Sequence, residues 1–241
     1  MKIALVTGAS GGIGSEIARR LAEEGWGVAL HYFESYKKAQ ALEEELGRGR
    51  ALAVGADLAA SSQIDKMVEQ VMERFGRVDL LVNNAGTAQR KLLTDVELEE
   101  WDRLFAIHVR GAFLLTKAVL PQMISRQSGQ IINISSIWGL VGGAMETPYS
   151  AAKAALIGFT KALAKEVGPS GVQVNCVAPG VIETAMNDEL DDEALDLIRE
   201  ETPLGCIGEP RDVAEAVCYL ASSKGRFMTG QVLSPNGGMV I

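Results

Sequence analysis

The sequence predicts an α/β protein built on a doubly wound sheet of seven mostly parallel strands, with helices on both faces and a single domain spanning residues 1–241. Two patterns predict it. Short apolar runs alternate along the chain with longer amphipathic stretches, the signature of repeated strand-helix units. No Pro/Ser-rich linker, low-complexity tract or longer repeat interrupts that alternation.

In order, the elements are a strand over Ile3–Thr7, a helix over Gly12–Glu24, a strand over Val28–Tyr32 and a helix over Tyr36–Leu46. A strand over Ala51–Ala56, a helix over Ser62–Phe75 and a strand over Leu80–Asn83 complete the first half. The second half reads as helix Leu98–Ser125, strand Gln130–Ser135, helix Pro148–Val167 and strand Gln173–Ala178. Helices Ala194–Glu201 and Asp212–Ala221 and a strand at Gln231–Leu233 follow. Residues 181–208 are the least regular stretch. They carry Asp188, Glu189, Asp191, Asp192, Glu193, Asp196, Glu200 and Glu201 against the single cation Arg199. Placed after a strand end, such a segment is expected to be a lid over a site at the carboxyl ends of the strands. A solvated acidic helical hairpin is the alternative for its outer face.

With 241 residues, 47% of them hydrophobic, the chain can bury a sizeable core. A net charge of −8 and a pI near 5.0, with no basic cluster, argue against a nucleic-acid partner. Cys176, Cys206 and Cys218 show no CxxC spacing and cannot all pair, which fits a reducing compartment. Met1 leads almost at once into Ile3-Ala4-Leu5-Val6 with no leader-like pattern, so a cytoplasmic location is expected. Charges recur through the longest apolar candidates, so no membrane span is expected. With His31 and His108 as the only histidines, no clustered histidine metal site is expected.

Thr7-Gly8-Ala9-Ser10-Gly11-Gly12-Ile13-Gly14 lies between the first strand and the first helix. There a tight turn aims backbone N–H groups at an anion, and glycine permits positive φ and close approach of a pyrophosphate. The spacing is TGxxxGxG rather than GxGxxG, and with it the chain resembles the short-chain dehydrogenase/reductase family at Thr7, Gly8, Gly12 and Gly14. Further family-like motifs follow in order: Asp57, with Leu58, on the adenine side; Asn83-Asn84-Ala85-Gly86; Ser136; Tyr149-Ser150-Ala151-Ala152-Lys153; and Pro179-Gly180-Val181-Ile182-Glu183-Thr184. They cover nearly the whole chain and imply a Rossmann-type nicotinamide-dependent oxidoreductase acting on CH–OH/C=O groups.

Tyr149 and Lys153 stand at i and i+4 on a helix that Pro148 helps to begin, so they share a face. A free phenol has a pKa of about 10; a nearby ammonium lowers it, so that the phenol exchanges its proton with a carbonyl oxygen as hydride reaches the carbon. Ser136, at the end of the fifth strand, is placed to hydrogen-bond the same oxygen. By resemblance, Lys153 also holds the nicotinamide ribose hydroxyls, and the backbone from Pro179 through Gly180 to Ile182, with Thr184, fixes the carboxamide end. The family places an asparagine where this chain has His108; an imidazole there implies an altered proton relay.

At the end of the second strand, where NAD users of the fold carry an acid, stand His31-Tyr32-Phe33, followed by Ser35, Lys37 and Lys38. That favours NADP (NADPH) over NAD, although Glu34 is close by and Gly11 stands where NADP-using relatives often carry arginine. The pattern is most similar to 3-oxoacyl-[acyl-carrier-protein] reductases, through residues 178–184 and Asn236-Gly237-Gly238-Met239. That similarity implies a role in fatty acid biosynthesis, with a 3-oxoacyl thioester as substrate and acyl carrier protein as a possible partner. Gln127, Ser170 and Cys206 occupy places where such reductases carry arginine; Arg126 is adjacent and could substitute. The alternatives are a CoA ester or a free ketone or alcohol as substrate, or a weakly active NADP-binding partner subunit. Trp138, Met145 and Met186 are candidate apolar wall residues. The resemblance also implies a homotetramer, with contacts through the helices beginning at Leu98 and Pro148 and through the tail from Val232 to Ile241.

Overall fold

The computed structural model describes residues 1–185 and 191–241. Seven strands form one sheet in the order β3-β2-β1-β4-β5-β6-β7, every neighbouring pair parallel. They are β1 Ile3–Val6, β2 Gly27–Tyr32, β3 Ala51–Gly55, β4 Leu80–Asn83, β5 Gly129–Ile134, β6 Val172–Val177 and β7 Val232–Leu233. The expectation of a mostly parallel sheet is thus met by a wholly parallel one.

Strand residues alternate between two cores. Ala4, Val6, Leu80, Val82, Ile132 and Ile134 join one, closed by α1 (Gly12–Glu23), α2 (Tyr36–Leu46) and α9 (Pro210–Ala221). Leu5, Leu81, Ile131 and Val174 join the other, closed by α3 (Ser61–Phe75), α5 (Gly111–Ser125) and α7 (Thr147–Val167). Because helices cover both faces, the strands read as unbroken apolar runs rather than as polar-apolar alternation. Pro148 lies in the first turn of α7, and Gly76, left-handed at φ 75°, closes α3.

The predicted helix over Leu98–Ser125 is continuous but not uniform. It consists of α4 (Leu98–Phe105), a wide turn at Ala106–Arg110 with π-type bonding, and α5. The extra residue in that turn places His108 inward, where it is buried. Residues 98–125 contain an 18-residue window of mean hydropathy 1.4, which by length and composition alone could cross a membrane. Their inner side instead packs on α3, α7, β4 and β5.

The short helix α6 (Trp138–Val141) was not legible in the sequence, being a single turn. In the irregular region, α8 (Asp192–Glu201) is capped by Asp191, whose carboxylate accepts the Ala194 N–H at 2.9 Å. Met186, Asp188 and Glu189, named above for a wall and an acidic lid, lie outside the described residues.

The strand order reverses direction between β1 and β4, opening a crevice at the strands' carboxyl ends. Every motif singled out above, from the glycine turn to the loop after β6, follows a strand end or begins a helix on that edge.

Candidate active site

A cavity of about 540 Å³ occupies that crevice, running from the glycine turn to Ser136, Tyr149 and Lys153. At the turn end, Gly8 adopts φ 64°, and a Cβ on Gly14 would lie 2.3 Å from the Gly8 carbonyl oxygen and 2.7 Å from Asn84 Nδ2. The helix can therefore begin here only against a residue without a side chain. Among the described residues no side chain caps α1, an arrangement that suits an anion at its first N–H groups. Gly14→Ala is expected to cost more than about 2 kcal/mol by overpacking, read as a lowered midpoint in chemical denaturation. An unchanged midpoint would mean that the turn is looser than described.

Ser10, Gly11, Gly12 and Ile13 line this end of the cavity, and Asn84, Ala85 and Gly86 face them from the end of β4. Thr7, expected among the cofactor-binding residues, does not line the cavity. Its Oγ1 accepts the N–H groups of Asn84 at 2.8 Å and Ala85 at 2.9 Å and donates to the Val82 carbonyl at 3.2 Å, tying β1 to β4 behind the turn. His31 does line it, yet both ring nitrogens are spent on the scaffold. Nδ1 accepts the Gly8 N–H at 3.0 Å, and Nε2 donates to the Ala56 carbonyl at 3.0 Å. Burial pushes its pKa below the usual range, so it serves as a neutral strut.

Tyr32 is a second correction. Its ring packs on Gly55 and on Tyr36, with centroids 5.6 Å apart, on the α2 side of β3, because alternate strand residues face opposite ways. Phe33, Glu34 and Ser35 line the cavity in its place, together with Asp57 and Leu58. Asp57 accepts from Arg103 Nη1 at 2.8 Å and from the Ala59 N–H at 2.9 Å. Burial works to raise the pKa of its carboxyl, but the Arg103 and Ala59 bonds outweigh it and hold the pKa below the usual value.

At the other end, α7 is stitched to β5 from two sides. The Lys153 ammonium donates to the Ile134 carbonyl at 2.9 Å, and Ser135 Oγ donates to the Lys153 carbonyl at 2.8 Å. Lys153 Nζ lies 5.4 Å from the centroid of the Tyr149 ring, and the His108 ring meets Tyr149 edge-on with centroids 5.7 Å apart. Ser136 is buried and its hydroxyl accepts the Trp138 N–H at 3.1 Å.

Protonation here departs from the expectation of a softened phenol. Burial pushes Tyr149 up to about 12, Ser136 pulling it down and the Glu146 carboxylate adding to the rise. Burial lowers Lys153 to about 8. At neutral pH the pair is therefore a protonated phenol beside an ammonium, the phenol holding its proton more tightly than a free tyrosine does. His108 is pushed well below its usual range, first by burial and then by Lys153, so its imidazole is neutral. Its Nε2 meets the N–H and carbonyl of Thr87 at 2.9 and 3.0 Å, while the buried Nδ1 has no partner among the described residues.

Pro179, Gly180, Ile182 and Thr184 line the cavity beyond β6. That loop is held by the C-terminal tail: the Gly180 N–H donates to the Pro235 carbonyl at 3.0 Å, and a Cβ on Gly180 would lie 2.8 Å from Asn236 Cα. Trp138 lines the cavity, whereas Met145 is exposed outside it at φ 62°. Arg90, Arg103 and Glu146 also line it and were not anticipated. No local pattern distinguishes them from surface charges: Arg90 and Glu146 lie close to recognised motifs but outside them, and Arg103 reaches in from α4.

Arg126 does not face the site. It donates to the Val78 carbonyl at 2.9 Å and pairs with Asp79 at 3.5 Å, below the amino ends of β4 and β5. Within one chain it cannot stand in for an arginine at the cavity mouth.

A family model described as "Enoyl-(Acyl carrier protein) reductase" matches residues 8–240. The 3-oxoacyl-[acyl-carrier-protein] reductase FabG of Staphylococcus epidermidis is 43% identical over 240 residues, covering 99% of this chain and 98% of that one. The (2S)-[(R)-hydroxy(phenyl)methyl]succinyl-CoA dehydrogenase subunit BbsD of Thauera aromatica is 41% identical over 239 residues, covering 98% and 96%. Among solved structures, a blue fluorescent protein from a metagenomic library in complex with NADPH superposes with a TM-score of 0.93 at 39% identity, over 100% of this chain and 98% of that one. The TGxxxGxG turn, the seven-stranded parallel sheet and the Ser-Tyr-Lys cluster agree with these likenesses, and the chain belongs to the short-chain dehydrogenase/reductase family.

Proposed function

We propose that this chain reduces the ketone of a 3-oxoacyl thioester to the 3-hydroxyacyl thioester with NADPH. The observation that carries the reading is the gathering of Ser136, a protonated Tyr149 phenol and the buried Lys153 ammonium in one cavity that begins at a glycine turn suited to an anion. A dinucleotide fits it, since the uncapped start of α1 suits its pyrophosphate and the cavity continues from there to Tyr149. When bound, the nicotinamide supplies hydride to the carbonyl carbon. Gly8 through Gly14 hold the pyrophosphate, Asn84, Ala85 and Gly86 flank the adenosine half, and Pro179, Gly180, Ile182 and Thr184 orient the carboxamide end. Lys153 holds the ribose hydroxyls. Ser136 fixes the substrate oxygen, and Tyr149 gives it a proton from its own hydroxyl. His108 returns that proton along a relay through its neutral imidazole, the unpartnered Nδ1 being the atom available for it. Ile198 and Glu201 of α8 line the cavity, which supports a cover formed within residues 181–208. Exposed Leu98 and Phe113 support a homotetramer that uses the helix beginning at Leu98.

A CoA ester as the carrier, rather than acyl carrier protein, is the second reading. The remote, paired Arg126 favours it, because that arginine is spent on Val78 and Asp79 and is not offered to an acidic carrier protein at the cavity mouth. Both readings are tested by following reduced nicotinamide with acetoacetyl-CoA, acetoacetyl acyl carrier protein and a but-2-enoyl thioester. Turnover of either ketone but not of the enoyl compound is expected. Reduction of the enoyl compound alone would overturn the assignment, and the ratio of the two ketone rates identifies the carrier.

A further inference from the structure

Among the described residues lining the cavity, three side chains are cationic: Arg90, Lys153 and Arg103. Two belong to the reacting end. Lys153 lies beside the Tyr149 ring, and Arg90 donates to Glu146, three residues before Tyr149, at 3.1 Å. Arg103 stands at the opposite end, reaching in from α4. Its Nη1 is held by Asp57 at 2.8 Å, and its guanidinium carbon lies 5.6 Å from the centroid of the Phe33 ring.

Phe33 directly follows β2, the position that meets the adenosine ribose in doubly wound folds. The ring is 51% exposed and offers a flat face against which a guanidinium stays ordered. Asp57 engages one N–H of the Arg103 fork; among the described residues the fork's remaining donors have no hydrogen-bond partner. Other cations are poorly placed. Lys37 and Lys38, in the first turn of α2, are exposed and do not line the cavity, and Gly11 offers no side chain.

We propose that Arg103 is the specificity-determining residue for the cofactor's 2′-phosphate, Asp57 and Phe33 holding its fork open toward that group. A guanidinium meets a phosphate dianion through two parallel N–H···O bonds, a geometry that a lone ammonium cannot reproduce. Glu34 lines the same end and repels the phosphate, so the preference depends on this one cation. The inference rests on the NADPH reading above and adds the residue that enforces it.

The test uses 2′,5′-ADP and 5′-ADP as probes in isothermal titration calorimetry, which needs no turnover. The unaltered protein is expected to bind 2′,5′-ADP at least about tenfold more tightly than 5′-ADP. Arg103→Gln is expected to bring that ratio near one while leaving 5′-ADP affinity unchanged, which also shows the variant to be folded. Arg103→Lys should give an intermediate ratio, and Lys37→Gln with Lys38→Gln should keep the full preference. No preference in the unaltered protein would sink the NADPH reading, and this inference with it. A preference that survives Arg103→Gln, or disappears in the double lysine variant, would overturn the role of Arg103 alone. Loss of 5′-ADP binding in Arg103→Gln would also overturn it, reducing Arg103 to a support for the Asp57 loop.

Discussion

Replacing Tyr149 with Phe is expected to slow ketone reduction by a factor on the order of 10²–10⁴, the range ascribed to a positioned proton donor. The change deletes one oxygen and keeps the ring, so the edge contact with His108 and the approach of Lys153 at 5.4 Å both survive. Dinucleotide binding should therefore be nearly unchanged, and the loss should appear in kcat. With a pKa raised to about 12, the hydroxyl is protonated at every ordinary assay pH, so its own titration does not limit reduction. Single-turnover reduction, together with the shift in melting temperature caused by NADPH, separates the two effects. A variant within a few-fold of the unaltered rate would remove Tyr149 from the chemistry.

Lys153→Met is expected to abolish useful turnover and yet raise stability. Lowering the ammonium from its usual 10.5 to about 8 corresponds to roughly 3 kcal/mol of desolvation that the folded state bears at neutral pH. Methionine fills similar space without that cost and gives up only the bond to the Ile134 carbonyl, worth about 1 kcal/mol. The net gain of about 2 kcal/mol should raise the melting temperature by roughly 4–8 °C in a domain of this size. Between pH 8 and 10.5 the unfolded chain holds the lysine proton more strongly than the folded one, so the unaltered protein gains stability as pH rises. The advantage of the variant should therefore shrink across that interval. Reduction by the unaltered protein should fall as pH passes about 8 and the ammonium is lost. Denaturation midpoints at several pH values, set beside pH-rate profiles, check both halves; a variant less stable than the parent at pH 7 would contradict the argument.

Elements whose burial is uniform were legible in the sequence to within one or two residues. The strands Ile3–Val6 and Leu80–Asn83 are covered on both faces, and α7 begins where Pro148 permits it. The wide turn at Ala106–Arg110 was not legible, because a single added residue inside a helix leaves the apolar pattern on either side almost intact. The same limit explains Thr7 and Tyr32. Local sequence placed both at the cofactor crevice, Thr7 in the phosphate turn and Tyr32 at the end of β2, but which of two neighbouring side chains faces the crevice depends on strand register and on which partner claims its hydrogen bonds.

Residue spacing alone carried the seven strands, the glycine turn and the shared helical face of Tyr149 and Lys153, since each is a short-range pattern of backbone freedom and periodicity. Packing decided the charge states and the long-range cations. Burial, which no spacing encodes, keeps Tyr149 a protonated phenol and makes Lys153 a weakened base. Only the closure of α4 over the strand ends brought Arg103 to Asp57, 46 residues away in the chain, because a guanidinium finds its partner by proximity in space.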